Sequence, residues 1–152
     1  MTVFDAIVVG ETAEFGSYEF TAERIKRFAR EWDPQRFHVD EAEAEASSFG
    51  GLCASGWHTA SVMMRLQVDY FAARARRGEP VPQFGVSPGF DGLRWIRPVY
   101  AGDKLTYSGR VTDKRLSNAR SGTGIVATEF SAVNQNDEPV FSMTAYVFVA
   151  AE

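Results

Sequence analysis

The spacing of apolar residues predicts one long helix followed by several strands. Between Leu52 and Arg77, apolar side chains recur every three or four positions, which is the period of a largely buried helix. After Pro82 the period changes to two, which is typical of strands with alternating faces. Four such segments are predicted: Leu93–Arg97, Lys104–Leu116, Gly124–Asn134 and Val140–Ala150.

The first third of the chain has a mixed pattern and predicts shorter elements. Ser17–Phe20 is a candidate strand. Thr21 is a good N-cap residue for a helix that runs to about Arg30. Asp40, which is followed three residues later by a glutamate, predicts the start of a second short helix over Glu41–Ala46.

One long helix ahead of a run of antiparallel strands indicates an α+β fold. We expect a single domain over residues 1–152, in which a curved antiparallel β-sheet wraps the long central helix in the arrangement known as the hotdog fold. The helix is apolar around so much of its circumference that one sheet cannot cover it. The pattern therefore predicts a homodimer or higher homo-oligomer, with the helix partly at the interface.

Composition and charge narrow the possible partners. With 45% hydrophobic and 24% charged residues, the 152-residue chain has the composition of a globular domain rather than a disordered one. Its net charge of −4 argues against nucleic acid as the main partner, since that binding needs a dense cationic surface. No apolar stretch approaches the ~20 residues of a membrane span, and the N-terminus lacks the pattern of a secretion signal. We therefore expect a cytoplasmic protein with no membrane partner.

Asp33 and His38 are the first candidates for chemistry. They bracket a proline-containing loop between the two predicted N-terminal helices, and such a loop can turn both side chains towards one point. A carboxylate and an imidazole that converge on one water form a device for proton transfer. On spacing alone, a turn residue and a surface histidine are the commoner interpretation.

The run of small residues that leads into the long helix is a second candidate. Free backbone N–H groups near Gly56 carry partial positive charge and can bind a developing oxyanion. Gly56 itself would let a ligand approach the backbone closely. The alternative is structural, because small residues also let a buried helix pack tightly.

Together these segments resemble the MaoC-like dehydratases, a hotdog family that includes the (R)-specific enoyl-CoA hydratases. The hydratase signature has the form D-x-N-P-x-H, and Asp33 and His38 stand at its first and last positions. Gln35 and Arg36 depart from its Asn and Pro, and the helix entry has a serine where a histidine is common. The later segment WIRPVYAGDKL is similar to the family's W-x-x-P-V and G-D-x-L stretches.

The resemblance implies a hydratase or dehydratase that interconverts a trans-2-enoyl thioester with a 3-hydroxyacyl thioester. Asp33 and His38 would hold the water, and the backbone N–H near Gly56 would bind the carbonyl oxygen of the thioester. Which of the two side chains acts as the base stays open. An acyl-CoA would be the substrate, with no cofactor beyond the coenzyme A that the substrate carries.

Substrate-binding candidates follow from charge and from bulk. An acidic protein needs local bases for the phosphates of coenzyme A, and the candidates are Arg94, Arg97, Lys114, Arg115 and Arg120. The apolar acyl group needs a tunnel, and the candidate wall residues are Phe49, Trp57, Met63 and Phe84. Ser55 is a further candidate for substrate binding. Taken singly, a solvent-facing position is the commoner interpretation of each base, and ordinary core packing is the commoner interpretation of each wall residue.

Two other functions stay open. The first is an acyl-CoA thioesterase of the hotdog class. Many such enzymes carry a carboxylate near the start of the long helix, and its absence from Gly50–Val68 counts against this function. The second is a catalytically inactive subunit that binds acyl thioesters, which is compatible with the two departures from the signature.

No metal site is expected, because His38, Cys53 and His58 show no paired spacing. His58 is expected to be a hydrogen-bonded structural residue.

Overall fold

A computed structural model describes all 152 residues of the chain. The five helices are α1 (Val3–Ala6), α2 (Ala22–Trp32), α3 (Arg36–Val39), α4 (Glu41–Glu45) and α5 (Gly56–Arg76). The five strands are β1 (Thr12–Glu19), β2 (Gly89–Trp95), β3 (Lys104–Leu116), β4 (Thr123–Val133) and β5 (Pro139–Ala150). No helix of the chain combines the length and the apolar character that crossing a membrane would require.

The strands form one antiparallel sheet in the order β1-β3-β4-β5-β2. The long helix α5 packs on this sheet, and its buried residues Val62 and Met63 belong to the same core cluster as Tyr107 and Phe141 of the strands. Bulges in several strand pairs bend the sheet. This is the predicted hotdog fold, in which a curved antiparallel sheet holds one central helix.

The bounds of α5 differ from the predicted ones at its N-terminal end. The pattern predicts a start at Leu52, whereas α5 begins at Gly56 and ends at Arg76. The intervening residues are extended, because Cys53 forms an antiparallel bridge with Tyr100 and the Ala54 N–H donates to the Val99 carbonyl at 2.8 Å. Apolar residues in this short segment therefore continue the helical period without continuing the helix.

One face of α5 is left uncovered within the chain. His58, Thr59, Val62 and Met63 are buried against the sheet side, but Trp57, Met64 and Val68 remain about half exposed. The expectation that the helix is largely buried is therefore wrong for a single chain. The exposed stripe lies where the sequence pattern predicts a partner copy.

The shorter elements show where the pattern is hardest to interpret. The predicted caps are confirmed, since the Thr21 and Asp40 side chains accept from backbone N–H groups three residues on. β1 and β2 each start earlier than predicted, because a bulge between Glu14 and Gly16 and another between Asp91 and Arg94 break the period-two alternation. The four-residue helices α1 and α3 are too short to show a helical period, and the sequence pattern does not predict them.

Candidate active site

The loop between α2 and α3 brings Asp33 and His38 together. The Asp33 N–H still donates to the Ala29 carbonyl at the end of α2, and Pro34 then prevents the helix from continuing. The short helix α3 places His38 in its last turn, where its side chain is buried. As a result, Oδ2 of Asp33 lies 3.5 Å from Nε2 of His38.

A backbone carbonyl fixes the orientation of the His38 ring. Nδ1 of His38 lies 2.6 Å from the carbonyl oxygen of Cys53. Because a carbonyl oxygen can only accept, the ring nitrogen facing it carries the hydrogen. In the neutral ring, Nε2 is then unprotonated and presents its lone pair towards Asp33. The proton acceptors of the two candidate residues therefore face each other.

The two departures from the family signature have different consequences at this site. Nε2 of Gln35 donates to Oδ1 of Asp33 at 2.8 Å, so the glutamine holds one carboxylate oxygen and leaves Oδ2 facing His38. Arg36 instead points its guanidinium at Glu43, 3.4 Å away, and both side chains are exposed. The glutamine thus supports the candidate carboxylate, and the arginine lies outside the pair.

The start of α5 supplies backbone N–H groups without acceptors. The amides of His58 and Thr59 donate to the Ser55 carbonyl, whereas those of Gly56 and Trp57 make no hydrogen bond within the chain. Ser55 is the N-cap residue, but its buried Oγ caps no amide and has no partner. Two free donors with the partial positive charge of a helix start therefore lie at the predicted position.

Gly56 has a different close neighbour from the one expected. A Cβ atom at this position would lie 2.6 Å from both Cδ2 and Nε1 of Trp95. The Trp95 indole also donates from Nε1 to the Gly56 carbonyl at 3.0 Å. The absence of a side chain thus accommodates Trp95, which agrees with the structural alternative of close packing at the helix entry.

These groups share one cavity of about 460 Å³. Its walls include six of the predicted site residues: Asp33, Phe49, His38, Gly56, Trp57 and Arg97. The Ser55 side chain does not line it, and Arg94 lies on the exposed edge strand β2, also outside it. The structure therefore brings Asp33 and His38, the start of α5 and one arginine to one place.

Comparison with known proteins identifies the family. The family model described as "MaoC like domain" matches residues 6–134 of the chain. The chain belongs to the MaoC-like family. It is 30% identical over 137 residues to the uncharacterized protein YdeM of Bacillus subtilis (strain 168). The matched region covers 90% of this chain and 91% of YdeM.

Solved structures agree with this assignment. The MaoC-like dehydratase from Rhodospirillum rubrum is 35% identical, with a TM-score of 0.83 over 97% of this chain and 96% of that one. The unliganded R-hydratase PhaJ1 from Pseudomonas aeruginosa is 24% identical, with a TM-score of 0.68 over 98% of this chain and 86% of that one. At this lower identity the likeness shows the shared hotdog fold alone.

This MaoC-like chain also contains a second, larger cavity. It has a volume of about 510 Å³ and lies between the C-terminal half of α5 and the sheet, with mostly apolar walls. Met63 and Phe84, which were predicted as walls of an acyl tunnel, line this second cavity instead of the one that holds Asp33 and His38. The four predicted wall residues are therefore divided between two separate spaces.

The remaining predicted bases do not gather at the site. Nζ of Lys114 donates to the carbonyls of Phe4 and Asp5 in α1, and the Arg120 guanidinium stacks on the Phe148 ring at 4.4 Å. Arg115 is exposed on β3. None of the three lines the cavity that holds Asp33 and His38.

Two buried titratable groups lie close to the site. His58 is enclosed by aromatic rings and stacks on Phe28 at 4.6 Å, and its Nδ1 has no hydrogen-bond partner, contrary to the expected bonded role. Burial, with the positive charges of Arg24 and Arg27, lowers the pKa of His58 to about 4. Burial raises the pKa of the Cys53 thiol, whose Sγ lies 3.7 Å from Nδ1 of His38, to about 11.

Sequence reasoning missed three contributors to this site. Gln35 was identified only as a departure from the signature, although it holds the Asp33 carboxylate. Trp95 is the tryptophan of the W-x-x-P-V stretch, so the motif pointed to it without giving it a role. Cys53 orients His38 through its backbone carbonyl, and no side-chain pattern reports such a contact.

Proposed function

We propose that the chain adds water to a trans-2-enoyl thioester to give a 3-hydroxyacyl thioester, and catalyses the reverse dehydration. The observation that carries this proposal is the 3.5 Å approach of Asp33 Oδ2 and His38 Nε2 inside a cavity that also holds free helix amides. Membership in the MaoC-like family, and the 35% identity to a MaoC-like dehydratase, support the same class of reaction.

Two facing proton acceptors suit the binding of one water molecule. The Asp33 carboxylate accepts through Oδ2, and neutral His38 accepts through Nε2 because its other nitrogen is committed to Cys53. A water between them donates one hydrogen to each and turns its oxygen lone pairs towards the substrate. In the proposed step the water oxygen bonds to C3 while one of the pair takes a proton from the water. The pair then delivers that proton to C2, so one water is added overall and both side chains return to their starting state.

The free amides at the start of α5 suit the other half of the reaction. As oxygen adds to C3, negative charge moves through C2 onto the thioester carbonyl oxygen. The N–H groups of Gly56 and Trp57 have no other acceptor in the chain, and the dipole of α5 adds to their positive potential. Donors held in place before the charge develops stabilise it without reorganisation. Only acid–base groups and donors are required, so the proposed reaction uses no cofactor.

The cavity also suits an acyl-CoA. Phe49 and Trp57 offer apolar walls for an acyl group, and the exposed Arg97 offers a cation for a phosphate of coenzyme A. Nε of Arg97 lies 3.7 Å from Oε2 of Glu138, and both side chains are about half exposed. Such an exposed ion pair is weak, so a phosphate can replace the glutamate as the partner of Arg97. Arg94 lies on β2, three residues before Arg97, and is proposed only as a second contact outside the cavity.

A homodimer fits the uncovered apolar surface. The exposed side chains Trp57, Met64 and Val68 of α5 and Phe90 of β2 form the surface that a second copy would cover. β2 is also an edge strand with one side unpaired, and such an edge can pair with a second copy. We therefore propose a two-fold homodimer built on this surface.

The deciding experiment follows the loss of conjugated enoyl absorbance with short and medium trans-2-enoyl-CoA, beside a thiol-release assay. Wild type is compared with Asp33→Asn and His38→Ala, and with Glu43→Gln as a matched control that removes an exposed acid outside the cavity. Each site variant should lose about 10²–10⁴-fold in rate, whereas the control keeps its rate.

Each other outcome points to a different function. Release of thiol with the enoyl absorbance intact would indicate a thioesterase. Binding of the thioester with neither signal would indicate an inactive binding subunit. If absorbance falls but the Asp33 and His38 variants match wild type, the reaction class stands and the assignment of the site is wrong.

A further inference from the structure

Trp95 connects the edge of the sheet to the first turn of α5. It is the last residue of β2, and its ring lies against Gly56, where any side chain would overlap it. The same ring packs edge-to-face against Trp57, with ring centroids 5.2 Å apart and an interplanar angle of 82°. Contact with both residues fixes the position of the turn whose amides have no other partner.

The indole hydrogen bond acts on one of those amides directly. Nε1 of Trp95 donates to the Gly56 carbonyl at 3.0 Å. That carbonyl belongs to the same peptide group as the Trp57 N–H. A donor at the oxygen of a peptide group draws electron density towards the oxygen and makes its N–H a stronger donor, which is the origin of cooperativity in hydrogen-bond chains.

We propose that Trp95 is a positioning residue that orients and polarises the Gly56–Trp57 peptide group for the developing oxyanion. The inference rests on the proposed function, since it assigns a task to the amides of that site. It also explains why residue 56 is glycine: the indole ring must reach the helix backbone to make this bond. Trp95 acts through the peptide group, and the N–H of that group meets the substrate.

The first test separates the hydrogen bond from the ring. Trp95→Phe keeps an aromatic ring over Gly56 and removes the indole N–H, and Trp95→Ala removes both. We expect kcat to fall about threefold to tenfold in the phenylalanine variant with KM nearly unchanged, below the 10²–10³-fold loss of a complete oxyanion donor. The alanine variant should lose more. Tyr146→Phe, which removes an aromatic hydrogen bond to Asp91 outside this cavity, is the matched control.

A spectroscopic measurement distinguishes polarisation from simple loss of structure. A trans-2-enoyl-CoA labelled with ¹³C at the thioester carbonyl is bound to Asp33→Asn, in which turnover is slow. Its carbonyl resonance should move downfield on binding, and by less in Asp33→Asn/Trp95→Phe. Equal shifts in the two proteins, or a Trp95→Phe kcat equal to that of wild type, would overturn the proposal.

A stability cycle tests the contact independently of turnover. Gly56→Ala should lower the unfolding midpoint in the wild-type background, because the new methyl group overlaps the indole. In Trp95→Ala the same change should raise it, since alanine is the better helix former. If the sign does not reverse, the contact is absent and the proposal fails. If the sign reverses but the wild-type protein does not hydrate enoyl thioesters, the contact between Trp95 and residue 56 is confirmed. The catalytic role of Trp95 is then rejected together with the proposed function.

Discussion

Replacement of His58 by leucine should remove most of the acid sensitivity of the fold between pH 7.5 and 4.5. The imidazole is buried among Tyr18, Phe20 and Phe28, with its Nδ1 unpaired. Leucine is close to histidine in size, and replacing a buried polar group that has no partner with an apolar one carries little cost. Above pH 7 the variant should therefore be at least as stable as wild type.

The magnitude follows from the lowered pKa. An unfolded histidine titrates near 6.5, whereas burial and the charges of Arg24 and Arg27 lower the pKa of His58 in the folded chain to about 4. Between these values the unfolded state binds a proton that the folded state does not, so the stabilisation is complete above pH 6.5 and is lost as the pH falls towards 4. At pH 4.5 the loss amounts to about 2.5 kcal/mol.

The assay is urea unfolding at fixed protein concentration, followed by tryptophan fluorescence, at pH 7.5, 6.5, 5.5 and 4.5. The carboxyl groups of Asp5, Glu41 and Glu79 have lowered pKa values through their hydrogen bonds, so their effect begins near the lower end of this window and is common to both proteins. The difference between wild type and His58→Leu isolates His58. Parallel pH profiles would refute the reasoning.

Two further predictions concern single contacts. Cys53 should react with iodoacetamide at pH 8 at least about 10²-fold more slowly in the folded chain than in urea, because burial raises its pKa to about 11; equal rates by mass spectrometry would contradict this. Tyr107→Phe should lower the free energy of unfolding by about 1–2 kcal/mol in urea titrations, since the buried hydroxyl donates to the Thr59 carbonyl at 2.9 Å. An unchanged midpoint would show that this bond contributes nothing.

The sequence predicts the fold well where elements are long and regular. β3 has the predicted bounds of Lys104–Leu116, and α5 ends within one residue of the predicted position. The pattern fails at β1 and β2, where a bulge shifts which side chains face the core, and at α3, whose four residues span about one helical turn. Local periodicity cannot report a bulge that is set by pairing with a distant strand.

The candidate site is predicted less completely, for a related reason. Asp33 and His38 are candidate side chains within one short motif, so spacing and resemblance point to both. Trp95 reaches Gly56 from 39 positions away in the sequence, and that contact exists only because the edge of the sheet lies beside the start of α5. Met63 and Phe84 satisfy the chemistry of an apolar wall but belong to the other cavity.

The carbonyl that orients His38 belongs to the main chain, and this has a consequence for how the protein tolerates mutation. All twenty amino acids supply the same C=O at position 53, so replacing the side chain there leaves this acceptor in place. Alanine scanning at this position would therefore test the buried thiol, whose Sγ lies 3.7 Å from Nδ1 of His38, and would leave the carbonyl oxygen at 2.6 Å unmeasured. A change in the backbone itself, such as an ester in place of the amide that joins residues 53 and 54, would weaken this acceptor and would also remove the Ala54 N–H that donates to Val99.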